Sequence, residues 1–189
     1  MIITKTPFRM SFFGGGTDME EYFRENEGAV LSTTFDKYCY VNVRHLPRFF
    51  DYSTELSYSK TERVTDINDI QHPAIREAMK MLDMREIRLT YEADLPARSG
   101  LGTSSSFAVG MLNAFYALKG KYADKKKLAD EAIYLERVLC NESGGWQDQI
   151  AASFGGFNRI NFNSDGYEVL PVIISPERKK MLNDNLLMF

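Results

Sequence analysis

The chain holds 189 residues, 44% of them hydrophobic and 26% charged, with a formal net charge of −3 and a pI near 5.5. Such proportions belong to an ordinary globular chain, with room for one sizeable domain and part of a second. They argue against a nucleic-acid surface, because the cationic run Lys125-Lys126-Lys127 sits beside Asp124 and Asp130, and no stretch approaches the roughly 20 apolar residues that span a bilayer.

The first residues, MIITKTPFRM, lack the long apolar core of a signal peptide, so a cytoplasmic protein is expected. Residues 2–13 read as one or two short strands. After Gly14-Gly15-Gly16, the segment DMEEYFREN has a helical look, with Asp18 placed to cap it and Tyr22 and Phe23 as its apolar face. The alternation in YCYVNVRHL (38–46) predicts a strand with Val41 and Val43 on one face. Residues 52–65, rich in Ser, Thr and Tyr, predict a hairpin. HPAIREAMKMLDM (72–84) sets Ile75, Met79 and Leu82 at helical spacing. EIRLTYEADLP (86–96) predicts a strand with Ile87, Leu89 and Tyr91 on one side, ended by Pro96.

Two long helices are predicted next. The first carries Phe107, Met111, Leu112, Phe115 and Leu118; the second, from about Asp124 to Leu139, carries Leu128, Ile133, Leu135 and Val138. A short helix, WQDQIAASF, precedes strands near 156–162 and 167–174, and PERKKMLND forms a helix opened by Pro176. Strands and helices are mixed rather than strictly alternating, which predicts an α+β fold. A boundary is expected near 170–175, dividing 1–170 from 171–189. The closing NDNLLMF stops inside an apolar run, as a strand cut short in a fragment would. Cys39 and Cys140 lack metal-ligand spacing and read as reduced structural thiols, and His45 and His72 are too few and scattered for a metal site.

The densest chemistry lies in DLPARSGLGTSSSFAVG (94–110). Helix N-termini leave N–H groups without partners and carry about half a positive charge, and glycine lets backbone approach an anion closely. Gly100, Leu101, Gly102, Thr103, Ser104 and Ser105 therefore predict a phosphate cradle at the mouth of a helix. The blander alternative is a serine helix cap, which needs only one hydroxyl. A common P-loop is excluded, because its lysine is missing.

LPARSGLGTSSS resembles the second motif of the galactokinase, homoserine kinase, mevalonate kinase and phosphomevalonate kinase (GHMP) superfamily, P-x-x-x-G-L-G-S-S, with Thr103 in place of the first serine. Two further matches follow in order. PFRMSFFGGGTD supplies a basic residue, Arg9, and an aspartate nine positions on, Asp18; LERVLCNESGGWQDQIAASFGG resembles the segment that carries the family's magnesium-binding glutamate and catalytic aspartate. Where galactokinases have Glu-His this chain has Gly15-Gly16, the pattern of the sugar-phosphate branch, the heptose 7-phosphate kinases. The family's glycine-rich C-terminal motif is absent.

The resemblance implies an N-terminal domain similar to ribosomal protein S5 domain 2, followed from about residue 171 by a ferredoxin-like C-terminal domain. ATP is the implied donor, with Mg2+ held by Ser104 and Glu136 and a sugar or sugar phosphate as acceptor. It implies Asp148 as general base or orienting carboxylate, Arg9 as the charge beside it, and Gly15, Gly16, Thr17 and Asp18 on the sugar side. Simpler readings stand next to these: Glu136 paired with Arg137 in solvent, Asp148 complementing a helix dipole, Asp18 as a cap, the glycines as a tight turn. Partners are expected to be the small-molecule substrate, with a second copy of the chain left open and neither nucleic acid nor membrane. The rival functions are a fucokinase-like or galactokinase-like sugar-1-kinase and, in another class, an S5-like nucleic-acid-binding module.

Overall fold

The computed structural model describes residues 1–96 and 99–187. Ala97 and Arg98 of the motif, and Met188 and Phe189, lie outside the described residues. The first segment forms one strand, β1 (Ile2–Phe13), rather than two short ones. It pairs antiparallel with β2 (Gly28–His45), from Ile2 opposite Val43 to Phe13 opposite Leu31. Pro7 is accommodated because β1 pairs on a single edge, where a missing N–H breaks no ladder on the other side.

β2 is the spine of the sheet. Its second edge is shared between β5 (Ile87–Ala93), opposite residues 39–45, and β6 (Phe157–Asn163), opposite residues 28–33. β3 (Thr54–Ser57) and β4 (Thr61–Val64) form the predicted hairpin, and β3 runs parallel to β5. β7 (Gly166–Pro171) closes the far side against β6. The result is a seven-stranded mixed sheet, ordered β4-β3-β5-β2-β6-β7 with β1 on β2. The β2 residues at 28–37, missed by the sequence reading, carry Thr, Asp and Lys in place of clean alternation.

Helices α2 (Pro73–Met81), α3 (Thr103–Leu118), α4 (Lys125–Ile133) and α5 (Gln147–Phe154) supply the rest of the core. Alternation turns Cys39, Val41 and Val43 inward with Phe8, Leu56, Ile87 and Leu89, beneath Ile75, Met79, Met111 and Phe115. A second cluster gathers Phe23, Val30, Ile133, Ile150, Ile160 and Phe162. Burial pushes the thiol of the core residue Cys39 up to about 12 and that of the half-buried Cys140 up to about 11, which makes both poor nucleophiles.

Several expectations are corrected. The helix after the glycines is a single turn, α1 (Glu20–Phe23), and its cap position is Met19, with no side-chain cap from Asp18. Only Phe23 is buried there, while Tyr22 is exposed. The long second helix passes from α4 into a π-helical turn, Tyr134–Leu139, which leaves Val138 61% exposed instead of in the core. The last strand ends at Pro171, and Leu186 follows α6 (Pro176–Asp184) in irregular structure, not in a strand.

α3 is buried on almost every side, as a helix apolar all round must be. It crosses β1 closely at Gly110, whose carbonyl accepts from Thr4 Oγ1 at 2.8 Å. A Cβ at Gly110 would lie 2.6 Å from Thr6 Oγ1. We expect Gly110→Val to lower stability by about 1–3 kcal/mol through overpacking, read as a lower urea midpoint with an unchanged slope.

Candidate active site

The glycine turn before α3 is shaped by two left-handed residues, Gly100 (φ 75) and Gly102 (φ 72), conformations that glycine adopts without strain. Gly102 occupies the cap position of α3, and no side chain caps this helix. α4 and α6 differ, since Asp124 and Ser175 accept from Lys127 N and Arg178 N. The serine-cap alternative therefore fails here, because the hydroxyls point elsewhere. Ser104 Oγ and Ser105 Oγ donate to Glu136 Oε1 and Oε2 at 2.6 and 2.7 Å, and Ser106 Oγ donates to Pro7 O at 2.9 Å. Among the described residues no side chain is bonded to the first amides of α3, and Arg9 packs against Gly102 at the turn before them.

Glu136 is 1% exposed. The π-helical turn rotates it inward, and the widened turn is closed by Cys140 N donating to Leu135 O at 2.9 Å. Arg137, its expected solvent partner, instead donates to the carbonyls of Glu142 and Ser143 at 3.2 and 3.0 Å. A buried carboxylate without a cation has to be satisfied by neutral donors, and Ser104, Ser105 and Gln149 Nε2 provide them. Its charge is felt nearby: burial first, and then Glu136, raise the carboxyl of Glu142 above its usual range.

Ser104 is exposed and Glu136 lies directly behind it. Two hard oxygens at 2.6 Å suit Mg2+, which takes one or two carboxylates and completes its shell with water and phosphate oxygens. No group of three or more His, Cys, Asp or Glu side chains gathers among the described residues. The donor set thus fits an ion shared with a phosphate ligand, rather than a cage built by protein alone.

Arg9 and Asp148 meet across the mouth of the same helix. Arg9 Nε and Nη2 donate to Asp148 Oδ1 at 2.8 and 2.6 Å, Nη1 donates to Gly100 O at 3.3 Å, and the Arg9 backbone N donates to Leu101 O at 3.2 Å. A single β1 residue thereby ties the glycine turn to the first turn of α5. Asp148 Oδ2 receives no hydrogen bond from the described residues and faces Gly102, 3.4 Å from where a Cβ would stand. Glycine at 102 keeps that approach open.

Asp18 and Thr17 are held by backbone groups of the glycine turn and its neighbours. Asp18 is 2% exposed; Oδ1 accepts from Gly16 N at 3.0 Å, Oδ2 accepts from Gln147 N at 3.1 Å, and its carbonyl accepts from Trp146 N at 3.1 Å. It caps α5 across the fold instead of its own helix. Thr17 Oγ1 is tied to Gly14 O at 2.8 Å and to Ala29 N at 3.1 Å. Gly15 and Gly16 are the exposed part of this turn. Sequence reasoning missed Ser11, Gly145, Gln147 and Gln149. Ser11 donates to Gln147 Oε1, a pairing across 136 positions that no local signal announces. A cavity of about 650 Å3 between the β3–β4 hairpin and the end of α2 includes none of these residues.

Gly145 is a tight contact of the site, because a Cβ there would stand 1.9 Å from Asp18 Oδ2. We expect Gly145→Ala to displace Asp18 from the start of α5 and to lower stability by about 1–3 kcal/mol, measured by urea unfolding.

Residues 70–156 match the model of the GHMP kinases N terminal domain. The chain is 32% identical, over 95% of its length, to a D-glycero-alpha-D-manno-heptose 7-phosphate kinase of Campylobacter jejuni subsp. jejuni, and covers 55% of that protein. It is 34% identical over 46% of its length to an L-fucokinase/L-fucose-1-P guanylyltransferase of Bacteroides fragilis, covering 9% of that protein. A crystal structure of a D-glycero-D-manno-heptose 1-phosphate kinase from Bacteriodes thetaiotaomicron superposes with a TM-score of 0.81 at 25% identity, over 93% of this chain and 61% of that one. The chain spans about half the length of the Campylobacter kinase it matches.

Proposed function

The chain carries a GHMP kinase N-terminal domain, and on that premise we propose an ATP-dependent kinase acting on the anomeric hydroxyl of a sugar phosphate. The substrate we propose is D-glycero-D-manno-heptose 7-phosphate, converted to the 1,7-bisphosphate. One observation carries the reading: the glycine at the mouth of α3 opens onto the Asp148 oxygen that receives no hydrogen bond from the described residues, 3.4 Å from where a Cβ would begin. A donor's phosphates and a base for the acceptor would share that space.

Phosphoryl transfer asks a protein to position its reactants and to offset spreading charge. The free amides of α3 and the Gly100–Gly102 turn would hold the donor's phosphates, aided by the positive end of the helix. Mg2+ on Ser104 and Glu136, when bound, would neutralise charge on those phosphates. Asp148 Oδ2 would accept the proton of the attacking hydroxyl, while Arg9 keeps Oδ1 engaged and the carboxylate aimed. The exposed Gly15 and Gly16 would flank the sugar, with Asp18 and Thr17 keeping their turn in shape.

Residues 1–170 would form the S5-like part and residues 171–189 would begin a ferredoxin-like domain. The exposed surface of α6, which buries no residue, supports that division. A kinase supplied by ATP would work in the cytoplasm. A fucokinase-like acceptor is the second reading, favoured by the Bacteroides fragilis similarity. The net charge of −3 lends no support to a nucleic-acid module.

The test uses the full-length protein with ATP and magnesium, following ADP release on heptose 7-phosphate, fucose, galactose and mannose. We expect heptose 7-phosphate to give the highest kcat/KM; equal turnover of fucose would favour the second reading. Asp148→Asn should lower kcat by about 10²–10⁴-fold, the usual contribution of a positioned base, while nucleotide affinity by calorimetry stays near wild type. An Asn variant turning over at wild-type rate removes Asp148 from the role of base.

A further inference from the structure

Two side chains on one face of β1, spaced i and i+2, grip two consecutive residues of α5. Arg9 donates to Asp148 Oδ1, and Ser11 Oγ donates to Gln147 Oε1. Each grip engages one polar atom of its target, and the other makes no hydrogen bond with the described residues. For Asp148 that atom is an acceptor, Oδ2, facing Gly102; for Gln147 it is a donor, Nε2, lying 4.0 Å from where a Cβ of Gly15 would stand. The backbone supports the same placement, because Asp18 bridges Gly16 N and Gln147 N through its two oxygens. Gln147 is part-exposed beside the exposed Gly15 and Gly16.

An acceptor and a donor side by side on one helical turn match a pair of neighbouring hydroxyls. The acceptor takes the proton of the hydroxyl that attacks, and the donor bonds the oxygen on the adjacent carbon. We propose that Gln147 is a specificity-determining residue, whose Nε2 donates to the hydroxyl next to the phosphorylated position, and that the site selects sugars with a free 2-hydroxyl. The inference rests on the kinase reading above and deepens it. Ser11 is the positioning residue: with its hydroxyl on Oε1, the carboxamide is held from turning its own oxygen toward the sugar. A glycine at 15 keeps the space before Nε2 clear, and its lack of a side chain is a second requirement of the same contact.

The experiment compares the full-length wild type, Gln147→Leu and Ser11→Ala on heptose 7-phosphate and on its 2-deoxy analogue, with ATP and magnesium. For the wild type, removing the 2-hydroxyl should lower kcat/KM by about tenfold, the order of one hydrogen bond. Gln147→Leu should lose about tenfold on the parent sugar and lose nothing further on the 2-deoxy sugar, with KM for ATP unchanged. Ser11→Ala should lose less, and again only on the parent sugar. Equal losses on both sugars would mean a structural role and would overturn the proposal, as would a Gln147→Leu variant of wild-type efficiency. A wild type inactive on every sugar tested would instead overturn the kinase reading, so the two failures are separable.

Discussion

The Arg9 guanidinium holds the site together. It lies on an edge strand yet reaches the carbonyl of Gly100 and the carboxylate of Asp148 at once. Its planar fork suits that task, since a single group can aim several donors in fixed directions. The pair is largely buried, with side-chain exposures of 14% and 24%. Ion pairs of this kind add little net stability once desolvation is counted, and their value lies in geometry. Here the geometry is the fixed relation between a phosphate-binding turn and the first turn of α5.

A second constraint comes from Glu136. Burying a carboxylate obliges the fold to bring three donors to it, two from the mouth of α3 and one from α5. The π-helical turn is the local distortion that permits this, because a regular helix would carry residue 136 to another angle. The same distortion turns Val138 out to solvent. The serines of the turn thus do two things: they satisfy Glu136 and, by not capping α3, leave its amides unpartnered.

The periodic parts of the chain were legible in advance. Val41 and Val43, Ile75 and Met79, Ile87 and Leu89 sit where alternation and helical spacing put them. The irregular parts were not. Residues 28–37 of β2 were hidden because Gly28 and Ser32 take inward positions beside Val30 where apolar residues would be looked for, and the register with β1 shifts between Pro7 and Arg9. Asp18 looked like a cap for its own helix and serves α5 instead, because a carboxylate so placed can reach any helix end packed beside it. Ser11 and Gln147 carry no mark in the chain at all, as serine and glutamine are ordinary on strands and helix starts.

The sequence alone determined the candidate set. The glycines and hydroxyls at 100–105 suggest a phosphate site by type alone, while Arg9, Asp18, Glu136 and Asp148 stand out only through the resemblance to the kinase motifs. Their division of labour was decided by the tertiary structure. Which serine faces a carboxylate depends on contacts across 31 and 32 positions, and how Asp148 and Asp18 are held depends on contacts between segments more than 100 residues apart. Such contacts follow from the packing of α3 and α5 against β1, and hydrogen bonds are directional over about 3 Å, a precision that residue type and spacing do not encode.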